Sequence, residues 1–136
     1  MKRAVPAPGA SDVEQRGISQ ACVGDDVVYV SGQVSTATTL AGQVEEAWAG
    51  VVDLVEAAGG SARDVVDLTV FVCGLSPDPD RSVLSAAWRA LQPLVDASVG
   101  EPAPAVTVIQ VAALARPAMQ IEIKAVAHLG SGGGPA

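Results

Sequence analysis

The spacing of apolar residues changes several times along the chain, and this succession limits the folds open to it. "VVYVSGQV" is a short run of residues that favour strands, and apolar side chains alternate in "DVVDLTVFV", which is the pattern of a half-buried strand. Between these runs, from Leu40 to Ala58, they recur at helical spacing until Gly59-Gly60, with Thr38 or Thr39 placed to cap the helix. The second run is predicted to turn one face, with Val66, Leu68, Val70 and Val72, toward the core.

A second amphipathic helix follows the turn residues "SPDPD". Its apolar face is predicted to carry Val83, Leu84, Ala87, Trp88 and Leu91. Pro93 is expected to end or kink this helix, because proline lacks the amide hydrogen that a helix interior needs.

Strands are also predicted at both ends of the chain. "ISQACV" and "VVYVSGQV" are separated by "GDD", which is typical of a hairpin, and two more strands are expected at about Ala105–Ala113 and Met119–His128. The order β-β-α-β-α-β-β, with or without an extra N-terminal strand, predicts an α+β fold with both helices on one face of a sheet. The opposite, bare face should then be buried in an oligomer.

The length of 136 residues fits a single domain, with a core of about residues 17–129 and flexible ends at 1–12 and 130–136. Net charge is −7 without a cluster of Lys or Arg, so a nucleic-acid partner is not expected. No apolar run is long enough for a membrane span, and the first residues lack the apolar stretch of a signal peptide. We therefore expect a cytoplasmic protein.

Chemistry that depends on histidine or cysteine clusters is disfavoured. His128, the only histidine, is predicted to lie at the surface, and Cys22 and Cys73 are predicted to be free thiols without metal-ligand spacing. No phosphate-binding glycine motif follows a strand. We expect no metal and no cofactor, so chemistry must rest on carboxylates, backbone groups and the shape of a pocket.

The last strand supplies a candidate for this chemistry. In "MQIEIKAVAH" the apolar residues face one way, and Gln120, Glu122, Lys124 and His128 face the other. If the second face is the oligomer side, Glu122 is partly withdrawn from water and suited to general acid–base work. The alternative is that Glu122 and Lys124 form an ion pair on a solvated face, where such a pair contributes little.

Three segments together resemble the Rid/YjgF family, the reactive intermediate deaminases: "ISQACVGDDVVYVSGQVS", "VVDLVEAAGGSARDVVDLTVFV" and "PAVTVIQVAALARPAMQIEIKAVA". The resemblance implies a chorismate-mutase-like fold, a mixed sheet with two helices on one face, assembled as a homotrimer with clefts between subunits. It also implies activity on small imines and enamines, which relatives hydrolyse to a keto acid and ammonia.

The resemblance also implies which residues form the pocket. The family's tyrosine is replaced by Ile18, while Gly32 in "SGQ" should still present its backbone to the ligand. The position of the family's pocket asparagine on the second helix is matched by Ser85, or by Leu84 if the alignment shifts by one residue.

The family's substrate-binding arginine has no equivalent in this chain. Its place is taken by Val106, the cysteine two residues later becomes Val108, and Glu122 is retained with Lys124 in place of a second acid. Arg116 falls in the loop between the last two strands and does not obviously substitute for it. Losing a bidentate carboxylate contact from a desolvated pocket should cost about 2–5 kcal/mol, so ordinary imino-acid substrates are disfavoured.

The leading functional hypothesis is a divergent Rid-family enzyme acting on a small reactive imine, enamine or carbonyl intermediate of a specialised biosynthetic pathway. Tautomerisation, cyclisation or condensation, and hydrolysis all remain open, with Glu122 as the acid and base. The pocket would be shaped by Ile18, Gly32, Ser85, Val106 and Val108. The alternatives are a weak broad-specificity deaminase and a non-catalytic trimer that binds a metabolite.

Overall fold

One mixed sheet with two long helices on a single face forms the framework of the protein. The computed structural model describes residues 1–5, 17–74 and 82–133. The helices and strands are, in chain order, β1 (Arg3–Ala4), β2 (Ala21–Gly24), β3 (Val27–Gln33), α1 (Leu40–Ala57), β4 (Val65–Val72), α2 (Ser82–Val99), β5 (Ala105–Gln110) and β6 (Ile121–His128). This confirms the predicted α+β fold, and the extra N-terminal strand is present as β1.

The strands lie in the order β1-β2-β3-β6-β4-β5. Strand β6 pairs antiparallel with both β3 and β4, so β3 and β4 run in the same direction on either side of it. Strand β5 pairs parallel with β4. Both helices are therefore crossover connections between parallel strands, and such connections cover the face on which they pack.

Local sequence signals explain the hairpin of β2 and β3. The predicted hairpin closes between Gly24 and Val27, and Asp25 adopts a φ of 53°, a left-handed conformation that aspartate tolerates. The first residues differ from the flexible segment expected at 1–12. Strand β1 pairs with β2, and Val5 is completely buried, while residues 6–12 lie outside the described part.

Helix α1 begins and ends where its sequence indicates. The Oγ1 atom of Thr39 accepts a hydrogen bond from the amide of Gly42 at 3.0 Å, so Thr39 rather than Thr38 is the N-cap. Gly59 follows the helix with a φ of 103°, which a residue with a side chain rarely adopts. The predicted extent of this helix is confirmed.

Helix α2 continues past the proline that was expected to end or kink it. The helix runs to Val99 with Pro93 inside it, so ending the helix at Pro93 was wrong. Its buried residues Val83, Ala87, Leu91, Val95 and Val99 follow one stripe that continues on both sides of Pro93. Packing of this stripe against the sheet stabilises the helical turn that contains Pro93, although Pro93 has no amide hydrogen to donate.

The core lies between the helices and the covered face of the sheet. Strand β6 supplies Ile121, Ile123, Ala125 and Ala127, all buried as predicted. Strand β4 supplies Leu68, Val70 and Val72, but Val66 is 37% exposed. The pairing of β4 with β6 shifts register between Val65 and Asp67, and this irregularity removes Val66 from the face predicted for it.

The opposite face of the sheet, which we call the open face, carries no helix among the described residues. It presents partly or largely exposed side chains from every long strand, including Tyr29, Asp67, Phe71, Ile109 and Val126. This face therefore mixes exposed aromatic and aliphatic side chains with charged ones, and large apolar side chains grouped on one exposed face are typical of a surface that binds another chain. Neither described helix has the combination of length and hydropathy that a membrane crossing requires.

Candidate functional site

Glu122 lies on the open face near the start of β6. It pairs across the sheet with Phe71 on β4, and its neighbour Ile123 pairs with Gln33 on β3. Both partners stand near the carboxyl ends of the two strands that flank β6. The sequence places a carboxylate here because β6 alternates strictly between buried residues and residues of the open face.

The Glu122 carboxylate has no hydrogen-bond or ion-pair partner among the residues that the structure describes. The alternative of a Glu122–Lys124 ion pair is therefore not realised within this chain. Because no fully buried side-chain oxygen or nitrogen of residues 1–5, 17–74 and 82–133 lacks a partner, the carboxylate oxygens must be reachable by solvent. Glu122 is half-buried yet available to an incoming group.

Gly32 lies directly beneath this carboxylate. A Cβ atom at Gly32 would stand 2.5 Å from Cδ and 2.5 Å from Oε2 of Glu122, closer than real Cβ contacts come. The β3–β6 pairing is irregular between Val30 and Gln33, so Gly32 lies within this irregular stretch. Any side chain at position 32 would push the Glu122 carboxylate aside.

A network of glutamine and serine groups borders the same place. The side-chain nitrogen Nε2 of Gln33 donates to Gln20 Oε1 at 3.1 Å and to the Ser31 carbonyl at 3.0 Å. Ser31 Oγ donates to the Ser19 carbonyl at 2.7 Å, and the Ser31 amide donates to the Gln20 carbonyl at 2.8 Å. These bonds fix the segment before β2 against β3.

Together these groups line an open depression of about 510 Å³. Its lining combines one carboxylate, polar groups and two exposed apolar side chains: Ile18, Gln20, Ser31, Gly32, Gln33, Val34 and Glu122. Three of the residues predicted to form a pocket, Ile18, Gly32 and Glu122, are thus brought together. A carboxylate beside uncharged donors can exchange a proton with a bound molecule.

The remaining pocket candidates lie on the other side of the sheet. Val106 pairs with Leu68 and Val108 pairs with Val70, and paired residues point to the same face. Leu68 and Val70 are core residues, and Val106 and Val108 pack against that core. Ser85 lies exposed near the start of α2, and the alternative, Leu84, packs against the core.

One chain therefore carries two separate groups of candidate residues. The first surrounds Glu122 on the open face, and the second follows the edge strand β5 and helix α2 on the helix-covered side. No single chain can place Val106 or Val108 beside Glu122, because the sheet separates them. Contact between the two groups requires a second copy of the chain.

Gln20 and Gln33 are among the residues of the depression that were not singled out in the sequence as pocket residues. Their position in the sequence could have indicated them. Gln20, in "SQA", directly precedes a predicted strand, and Gln33, in "SGQ", lies near the end of the next one. Arg116 is exposed in the loop before β6, and nothing in the described structure brings it to the depression. His128 is exposed at the far end of β6, as predicted.

The comparison with known families identifies this scaffold. The sequence matches the family model described as endoribonuclease L-PSP over residues 14–129. Because the match spans most of the chain, the protein belongs to this family, which includes the YjgF proteins.

Solved structures give the same result for the fold. A Pseudomonas aeruginosa protein of unknown function, PA3499, is similar with a TM-score of 0.78 and 26% identity, covering 95% of this chain and 93% of that one. The Escherichia coli YjgF gene product is similar with a TM-score of 0.73 and 25% identity, covering 93% and 98%. Rv2704 of Mycobacterium tuberculosis, a YjgF/YER057c/UK114 family member, has a TM-score of 0.76 and 24% identity, covering 95% and 100%.

Among curated proteins the sequence finds no match. The family therefore establishes the fold, while the chemistry has to be argued from the residues of this chain.

Proposed function

We propose that this protein is a divergent Rid-family enzyme that moves a proton on a small reactive imine, enamine or carbonyl compound, with Glu122 as the acid and base. The observation that carries the proposal is the carboxylate of Glu122, which lies in an open depression without a partner among the described residues. A carboxylate that no donor of the described residues occupies can exchange its bound water for a ligand. Glu122 is therefore open to hydrogen bonds with a molecule in the depression.

The chemistry available to one carboxylate is proton transfer. In a tautomerisation, Glu122 takes a proton from one end of a conjugated C–C–N or C–C–O unit and returns it to the other end, so nothing else is consumed. In a hydrolysis, water adds across the C=N bond, and the C–N bond then breaks to give a carbonyl compound and ammonia. Both reactions need a proton acceptor and donor at the position of Glu122.

The proposed site is completed by assembly. We propose a homotrimer in which the open face of one copy meets the edge formed by β5 and α2 of the next. Val106, Val108 and Ser85 of one copy would then close the depression around Ile18, Gly32 and Glu122 of its neighbour. This arrangement is supported by the position of the two groups on opposite sides of the sheet, and by the apolar character of the open face.

Ribonuclease activity, which the family description names, is disfavoured for this chain. RNA binding depends on neutralising phosphates with lysine and arginine. The chain carries a net charge of −7, and the described residues that line the depression include no cation.

The experiment that tests the proposal is the substitution Glu122→Gln, which keeps the size of the side chain and removes its ability to accept a proton. The substrates are a panel of uncharged imines, enamines and carbonyl compounds, and formation of the tautomer, or release of ammonia and carbonyl product, is followed with time. We expect the variant to lose at least a hundredfold in kcat/KM, which is within the range of general acid–base catalysis. Glu56→Gln, which removes the same charge from the exposed surface of α1, serves as the control and should leave the rate unchanged.

Two outcomes would contradict the proposal. If Glu122→Gln retains the wild-type rate, Glu122 is not the acid and base. If the wild-type trimer converts none of a panel of imines, enamines and carbonyl compounds but binds one of them, the protein is a metabolite-binding protein.

A further inference from the structure

The hydrogen-bond pattern around Gln20 fixes the orientation of its side-chain amide. The Ser31 carbonyl can only accept a hydrogen bond, so the Gln33 atom that faces it must be the nitrogen Nε2. The same Nε2 contacts Gln20, which must therefore present its oxygen Oε1 to Gln33. It follows that the Gln20 nitrogen Nε2, with two hydrogens, points away from Gln33.

This nitrogen is a donor without a partner among the described residues of the chain. Since no fully buried side-chain nitrogen in the described part of the chain lacks a partner, Gln20 Nε2 must be in contact with solvent. Gln20 lines the same depression as Glu122. The depression therefore offers a bound molecule one amide donor and one carboxylate that no described residue occupies.

The charge of the lining decides which molecules fit these groups. Glu122 is the only ionisable residue among the described residues of the lining, and no lysine or arginine stands there to bind an anion. A carboxylate ligand would meet like charge, which is costly where water is partly excluded. An uncharged carbonyl oxygen, in contrast, can accept a hydrogen bond from Gln20 without repulsion by Glu122.

We propose that Gln20 is a specificity-determining residue of this site, and that it selects substrates with an uncharged carbonyl or amide oxygen over substrates with a carboxylate. This inference rests on the proposed function, because it assigns the substrate class of the same depression. Gln33 acts through Gln20 and is a positioning residue, since its Nε2 holds the Gln20 oxygen and so directs the Gln20 nitrogen.

The test uses benzamide and benzoate, two probes of nearly the same shape that differ in charge at neutral pH. Binding to the full-length protein is measured by ligand-observed NMR titration. We expect the wild-type protein to bind benzamide at least about tenfold more tightly than benzoate, which corresponds to about one hydrogen bond. Equal binding of the two probes, tighter binding of benzoate, or no binding of benzamide would overturn the proposal.

The substitution Gln20→Glu tests the role of the nitrogen itself. The variant retains an oxygen for the bond from Gln33 Nε2 but lacks the free donor, and we expect it to lose at least tenfold in benzamide affinity. Gln92→Glu makes the same change at an exposed position of α2 and should bind benzamide like the wild type. Gln20→Met, which removes the donor without adding charge, should also lose at least tenfold in benzamide affinity; wild-type benzamide affinity in both Gln20 variants would overturn the role of Gln20.

Failure of this inference can be distinguished from failure of the proposed function. If Glu122→Gln retains turnover while Gln20→Glu abolishes benzamide binding, the acid–base chemistry is wrong and the recognition by Gln20 stands. If Glu122→Gln abolishes turnover while benzoate binds as well as benzamide, the chemistry stands and the substrate class is wrong.

Discussion

Gly32 shows how the position of the proposed acid and base can depend on a missing side chain. The Glu122 carboxylate occupies the space that a Cβ atom at Gly32 would need. The φ angle of Gly32 is not positive, so an alanine at this position can adopt the same backbone conformation. Replacing it therefore tests the placement of Glu122 separately from backbone strain.

We predict that Gly32→Ala lowers kcat/KM by about a hundredfold, because a displacement of about 1 Å in a catalytic group has effects of this size. Stability should change little, since the far end of the Glu122 side chain can move. The matched control is Gly24→Ala on β2, where an added Cβ meets nothing within 4 Å. Initial rates and urea unfolding of both variants provide the measurements, and wild-type activity in Gly32→Ala would show that Glu122 need not lie over position 32.

The residues of this site were predictable from the sequence to different degrees. Alternation along β6 is regular, so the face that carries Glu122 followed from spacing alone. The same reasoning failed for Val66, because a register shift in the pairing with β6 cannot be recognised in one strand. The orientation of Gln20 depends on two hydrogen bonds of Gln33, and no linear pattern records such contacts.

At the level of elements, Gln43 connects helix α1 to the segments that precede α1 and β6. Its Nε2 donates to the carbonyls of Ala37 and Ala118 at 3.0 and 2.9 Å, and its Oε1 accepts from the Gln120 amide at 2.8 Å. Gln43 is only 2% exposed. Since Gln120 lies two residues before Glu122, these bonds also fix the start of the strand that carries the carboxylate.

We predict that Gln43→Leu lowers the free energy of unfolding by about 2–4 kcal/mol, because buried backbone groups lose their partners. The measurement is equilibrium unfolding in urea. Gln92→Leu, at an exposed position of α2, should change stability by less than about 0.5 kcal/mol. A Gln43→Leu variant as stable as the wild type would mean that water replaces all three hydrogen bonds.

Helix and strand order was predictable because each element carries its own signal: alternation for strands, a 3.6-residue stripe for helices, and a capping threonine for α1. The end of α2 was harder to predict. Propensity places a helix end near Pro93, but the buried stripe continues to Val99, and tertiary packing outweighs the local preference. The short strand β1 was difficult for a similar reason, since its pairing with β2 depends on contacts distant in sequence.

At the scale of the whole molecule, the proposed assembly accounts for both the open face and the separation of the two residue groups. An exposed apolar sheet face is stable when a second copy covers it. The sequence pattern indicated this face before the structure, because helices cover only one side of the sheet. Which residues meet across the contact depends on the orientation of the copies and is not encoded in any periodicity.

We predict that Val126→Asp converts the proposed trimer to a monomer and abolishes turnover, although Glu122 is unchanged. Val126 lies on the open face between its strand partners Tyr29 and Asp67, so a new carboxylate would face Asp67 and would be desolvated on assembly. Light scattering measures the mass. Ala49→Asp on the exposed surface of α1 should remain trimeric and active, and an active Val126→Asp monomer would show that one chain contains the whole site.

The last described residues are hydrogen-bonded to Asp64, and this fixes a site at which the protein can be immobilised. The amide of Gly132 donates to Asp64 Oδ1 at 2.8 Å, and Ser131 Oγ donates to the Asp64 carbonyl. These residues follow the far end of β6, so about 20 Å of strand separates them from Glu122. An affinity tag or a sensor surface coupled beyond residue 133 would hold the protein at the end of the sheet remote from the depression and leave ligand access free during immobilised binding assays.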